Sequence, residues 1–153
     1  MKQIPLIVLV FLIFSSCRPV KSADPGPAIP LIGSWQLISG LTIQGKDTQF
    51  VDYTRNQRAI KIINATHFCF LVHDLDKGRS GTPNFSAGGG HYTLEGDRYT
   101  EFLEYCNARE WENNKFTFTV SFNKDTLVQQ GIEKIDSIGV NRLNIEKYVR
   151  LKP

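Results

Sequence analysis

The chain has 153 residues, a formal net charge of +3 and a hydrophobic fraction of 41%, enough for one domain of ordinary globular composition. Lys and Arg are scattered rather than clustered, which excludes the concentrated basic patch of a nucleic-acid surface. Ten Phe, five Tyr and two Trp against a single Met favour β structure over a helix bundle.

Met1-Lys2-Gln3 is a short basic start, and Ile4 to Phe14 is an uncharged apolar run. The run is too short to span a bilayer, which takes about 20 residues, but it has the length of a signal-peptide core. Phe14-Ser15-Ser16-Cys17 follows. Small residues before a cysteine resemble the lipobox of bacterial lipoproteins, although Phe14 replaces the usual Leu. That resemblance implies cleavage after residue 16, acylation of Cys17 and anchorage by its lipid, since two or more acyl chains hold stably. Residues 17–30 carry Pro19, Pro25, Pro27 and Pro30, and proline stiffens a chain into an extended spacer. The expected location is the cell envelope, at the outer membrane facing the periplasm.

Residues 31–153 form the domain. Period-two alternation of apolar and polar residues, broken by turn residues, marks eight strands: 33–43, 58–63, 67–73, 91–94, 98–105, 115–122, 126–132 and 142–151. The polar, Gly-rich stretch 74–89 is expected to be a loop. Asn107 to Asn114 has room for one helical turn. Short connections imply antiparallel neighbours. Eight such strands suit an up-and-down barrel, because closure removes exposed edges. The fold class is therefore all-β: an eight-stranded antiparallel barrel after an N-terminal signal peptide.

Gly33-Ser34-Trp35 on the first strand resembles the Gly-x-Trp signature of the lipocalins. The stretches 33–39, 61–70, 88–105 and 145–150 together resemble a bacterial lipocalin-like domain family of unknown function. The resemblance implies that Trp35 plugs one end of the barrel with Arg150 lying against it. By analogy alone it implies a small-molecule cavity.

Phe68, Phe70 and Val72 share one face of the third strand, and Phe116, Phe118, Val120 and Phe122 share one face of the sixth. These faces are the expected interior, either as a filled core or as the wall of a cavity. On the fifth strand Tyr99, Glu101, Leu103 and Tyr105 alternate on one side. Glu101 is expected to point inward as a polar anchor among tyrosines. Phe68, Phe70, Tyr92, Tyr99, Glu101, Tyr105 and Phe118 are thus the candidate ligand contacts. His67, Cys69 and His73 share one face of the third strand, but residues six apart lie about 20 Å apart along a strand, so His67 and His73 cannot share an ion and only His67 with Cys69 could; ordinary surface or rim histidines are the expectation. Cys69 and Cys106 are left as either a disulfide or two thiols. No convergent catalytic set and no cofactor site is visible. The expectation is a monomeric barrel, anchored to a membrane through Cys17, that binds a small hydrophobic or amphipathic molecule. The alternative is a structural or interaction lipoprotein with a filled barrel.

Overall fold

A computed structural model describes residues 30–152 apart from 80 and 82. The expected signal peptide (1–16), Cys17 and the expected tether up to residue 29 lie outside the described residues. Ten strands form one sheet: β1 (Gly33–Gln44), β2 (Asp47–Asp52), β3 (Gln57–Ile63), β4 (His67–Asp74), β5 (Phe85–Glu95), β6 (Arg98–Leu103), β7 (Tyr105–Cys106), β8 (Asn114–Asn123), β9 (Thr126–Ile135) and β10 (Val140–Arg150). All pairings are antiparallel, and the sheet runs β10-β9-β8-β6-β5-β4-β3-β1. It closes because β10 also pairs β1, from Trp35↔Arg150 to Ile43↔Leu143. This is a closed eight-stranded antiparallel barrel in which β2 and β7 are short additions.

Three features depart from simple alternation. β2 takes over where β3 stops: β1 pairs β3 along residues 33–37 and β2 along residues 39–44. The sequence offers little sign of β2, because its residues are largely exposed and polar. The C-terminal part of the stretch 74–89 expected as a loop, from Phe85 to Gly89, is strand and pairs with β4. Gly90 has to be glycine, since a Cβ there would overlap the Phe102 carbonyl. The expected strand 98–105 breaks at Glu104. Tyr92 pairs Glu101, whereas Gly89 pairs Tyr105, so one extra residue is inserted as a bulge. A one-residue slip reverses which side chains face inward. Tyr105 is consequently 70% exposed, and Cys106 turns towards the lumen.

The core is strongest at the end formed by the start of β1 and the end of β10. Trp35 is fully buried and donates its indole N–H to the Leu31 carbonyl at 2.9 Å. The Arg150 guanidinium lies 4.1 Å from the Trp35 ring centroid and donates to the carbonyls of Ile32 (2.9 Å) and Pro30. Gly33 sits at φ +147°, which L side chains rarely adopt, and a Cβ there would displace Arg150 Nη1. Phe122 packs on the indole with ring centroids 6.0 Å apart. Gly33, Trp35 and Arg150 therefore act as one plug.

Trp35→Ala is expected to lower stability by about 3–5 kcal/mol, as for other large core deletions. Urea unfolding measures it, and a loss below about 1 kcal/mol, the size of an average substitution, would show that the plug does not depend on the indole.

Candidate functional site

Above the plug the barrel is not filled. A cavity of about 430 Å³ remains, within the size range of small-molecule sites. Its wall has two characters. Phe70 of β4, Leu103 of β6, Phe116 and Phe118 of β8, and Trp111 of the 3-10 turn Arg109–Trp111 give an apolar, largely aromatic side. β9 and β10 give a polar side with Gln129, Glu133, Arg142, Asn144, Glu146 and Tyr148. On both of these strands alternate residues are inward, and the inward residues here are polar.

At the deep end Lys61 of β3 is 2% exposed and Glu101 of β6 is 7% exposed. Their side chains meet as an ion pair across the lumen. The Lys61 ammonium also donates to Gln129 Oε1 at 2.9 Å and sits 5.4, 5.6 and 5.5 Å from the ring centroids of Phe68, Tyr99 and Tyr148. A buried ammonium needs such partners, because desolvation without them costs several kcal/mol. Burial pushes the Glu101 carboxyl up against the opposing pull of Lys61. Tyr99 is raised above the ordinary phenol range by burial and by the neighbouring Glu101 charge. Its hydroxyl is buried with no aligned hydrogen-bond partner among the described residues.

Nearer the mouth, Glu133 accepts from Arg142 Nε at 2.7 Å and from Asn144 Nδ2 at 2.9 Å. Burial raises its carboxyl while Arg142 lowers it, and burial prevails. The Arg142 guanidinium lies over the Trp111 ring at 5.1 Å. Tyr148 donates its hydroxyl to Glu146 Oε2 at 2.6 Å. Burial, followed by the Glu146 charge, pushes this phenol well above its ordinary value.

Of the residues singled out from sequence, Phe70, Glu101 and Phe118 line the cavity. Phe68 and Tyr99 lie beneath it, packed edge to face at 6.5 Å around the Lys61 ammonium. Tyr92 is away from the cavity wall: its ring packs on Tyr99 at 5.2 Å and its hydroxyl donates to the Asn64 carbonyl at 2.7 Å. Tyr105 is outside, for the register reason given above. Glu104, the other carboxylate of that strand, is also outside, with His91 Nδ1 2.8 Å away. Cys69 and Cys106 are free thiols. Among the described residues no three His, Cys, Asp or Glu side chains converge as a metal site.

Sequence reasoning missed Lys61, Gln129, Glu133, Arg142, Asn144 and Glu146 as a group. One signal was present: Lys61 stands between Ala59 and Ile63 on the apolar face of its strand. In 142–148, by contrast, apolar Leu143 and Ile145 alternate with the polar set, and alternation alone does not say which set is inside.

The described residues thus form a closed antiparallel barrel with a Trp–Arg plug at one end and a solvent-reaching cavity above it. No family model matches the chain, and no curated protein matches it. Among solved structures it is similar to a point mutant of the fluorescent protein UnaG, with a TM-score of 0.37 and 8% identity over 80% of this chain and 97% of that one.

Lys61→Met leaves Glu101 buried without its cation and is expected to cost about 3–5 kcal/mol at neutral pH. The loss should shrink on acidification. Without Lys61 the folded carboxyl lies still further above its unfolded value, so its contribution is favourable below the unfolded pKa and is lost as pH rises. Denaturant unfolding at pH 5 and pH 8 checks this, with the larger deficit expected at pH 8. Adding Glu101→Leu should recover most of it.

Proposed function

We propose that this chain is a lipid-anchored envelope protein whose barrel binds a small amphipathic molecule. The observation that carries the binding half is the cavity of about 430 Å³. A filled core would have closed it with the same aromatic side chains. Its two-sided wall suits a guest with an apolar body and a polar end, since ligand sites combine apolar contact with a few placed polar groups. The anchor half rests on Cys17 after an apolar leader and before a proline-rich spacer. The spacer would hold the barrel off the membrane, at the outer membrane on its periplasmic side. We take the barrel to act as a monomer and as a binder rather than a catalyst. Its inward carboxylates and cations are used mainly on each other, and no nucleophile beside a base converges on the cavity among the described residues.

A second role has one observation in its favour. Phe50 of β2 and Ile132 of β9 are 68% and 54% exposed on the outer wall. Exposed apolar side chains of this kind occur on interaction surfaces, so a partner protein on the outside is compatible with a guest inside.

Native mass spectrometry of the chain purified from its own envelope should show a retained small molecule, and Val72→Trp, which places an indole in the cavity wall, should weaken its retention. An empty chain, or retention unchanged by Val72→Trp, would refute binding at this site. Separately, metabolic labelling with a radioactive fatty acid should mark the chain. Cys17→Ala should remove both the label and the membrane association.

A further inference from the structure

The charges lining the cavity do not balance. The inward ionisable groups are Lys61 of β3, Glu101 of β6, Glu133 of β9, and Arg142 and Glu146 of β10, together with the phenols of Tyr53 and Tyr148 and the thiol of Cys106. Lys61 is matched to Glu101. Arg142 is matched to Glu133 at 2.7 Å and is stacked on Trp111. Glu146 remains as a third carboxylate with no cation. Its hydrogen bond from Tyr148 occupies one oxygen, and the other has no hydrogen-bond or ion-pair partner among the described residues.

Glu146 is well placed for a guest. On β10 it lies level with Gly40 of β1 and Gln129 of β9. Gly40 contributes no side chain, and the Tyr53 ring lies against it, 3.1 Å from where a Cβ would stand. The carboxylate therefore has one phenol bonded to it and another close by, and it faces the apolar wall of Phe70, Phe116 and Phe118. Its charge is felt widely: it raises Tyr53, Tyr99, Tyr148, Glu101 and Glu133. Among the described residues no cation pairs with Glu146.

We propose that the guest is an amphipathic amine, its protonated amino group held by Glu146 between the phenols of Tyr53 and Tyr148 and its apolar body on the Phe70–Phe116–Phe118 side. An ammonium would supply the missing cation, make a charge-assisted hydrogen bond with the free carboxylate oxygen and gain from nearby ring faces. An anionic guest would instead add a fourth negative group beside three carboxylates, with both cations already engaged. The assignment rests on the cavity being a binding site.

The test uses decylamine, decanol and decanoate, which share a chain length and differ in head-group charge. Binding to the mature chain, residues 17–153, is read from the fluorescence of Trp111, with Cys17→Ser so that no lipid competes. Decylamine should bind about tenfold more tightly than decanol, the fold-change of one charge-assisted hydrogen bond, and decanoate should bind most weakly. Glu146→Gln, which retains an acceptor for Tyr148, should remove the amine's advantage and leave decanol unchanged. Decanoate binding as tightly as decylamine, or an amine advantage that survives Glu146→Gln, overturns the amine assignment while the binding site stands. Failure of all three to bind overturns the site itself. The ordering on the unsubstituted cavity decides the matter even if Glu146→Gln does not fold.

Discussion

The pairing of β1 with β10, eight residue pairs from Trp35↔Arg150 to Ile43↔Leu143, makes an interior out of what would otherwise be a curved sheet. Lys61 and Glu101 stand on β3 and β6, which are separated in the sheet by β4 and β5. They meet only because the sheet returns on itself. The same holds for Lys61 and Gln129, 68 residues apart in the chain. The plug secures this closure at its deepest point. Arg150, on the last strand, covers Trp35 on the first and bonds the carbonyls that lead into it, so the two strands are tied by side chains as well as by their ladder. Gly33 is part of the same device, because any side chain there would displace the guanidinium.

Within that closed wall the polar groups are arranged to satisfy one another. A lone buried ammonium or carboxylate is expensive, yet two cations and three carboxylates face this lumen. Two carboxylates are held by Lys61 and Arg142, with Gln129 and Asn144 adding hydrogen bonds. These ties join β3 to β6 and β9, and stiffen the polar side of the barrel. The aromatic side has no such demands. Glu146 differs from the other two carboxylates: it is bonded by Tyr148 and has no ion-pair partner among the described residues.

Much of the strand pattern was legible in the sequence, because alternation along 58–63, 67–73, 115–122 and 126–132 is a local property of side chains on a pleated backbone. The expectations failed where a strand's register depended on its neighbours. The glycine stretch reads as a loop until β4 and the Phe102 carbonyl lie against it, and then glycine is what allows the close approach. Tyr105 follows Tyr99, Glu101 and Leu103 in perfect alternation, and the bulge at Glu104 turns it outside. A similar shift between Leu37 and Ser39 in β1 places Gly40 and Thr42 on the lumen side.

For the cavity, sequence indicated Phe70, Glu101 and Phe118, since rings on a strand's apolar face and a carboxylate in line with tyrosines suggest an inside. It did not single out Gln129, Glu133, Asn144 or Glu146. A polar residue alternating with apolar ones is ordinarily on the wet side, and here the wet side is the lumen. By itself the sequence determined the alternation and the turn positions, because each arises from neighbours along the chain; the Gly-x-Trp motif pointed to the plug by resemblance alone, since Arg150 reaches Trp35 only through the fold. Tertiary structure alone decided which face of β9 and β10 looks inward, which charges pair across the lumen, and that space remains between them. Those are properties of strands distant in sequence, brought together only when β1 meets β10.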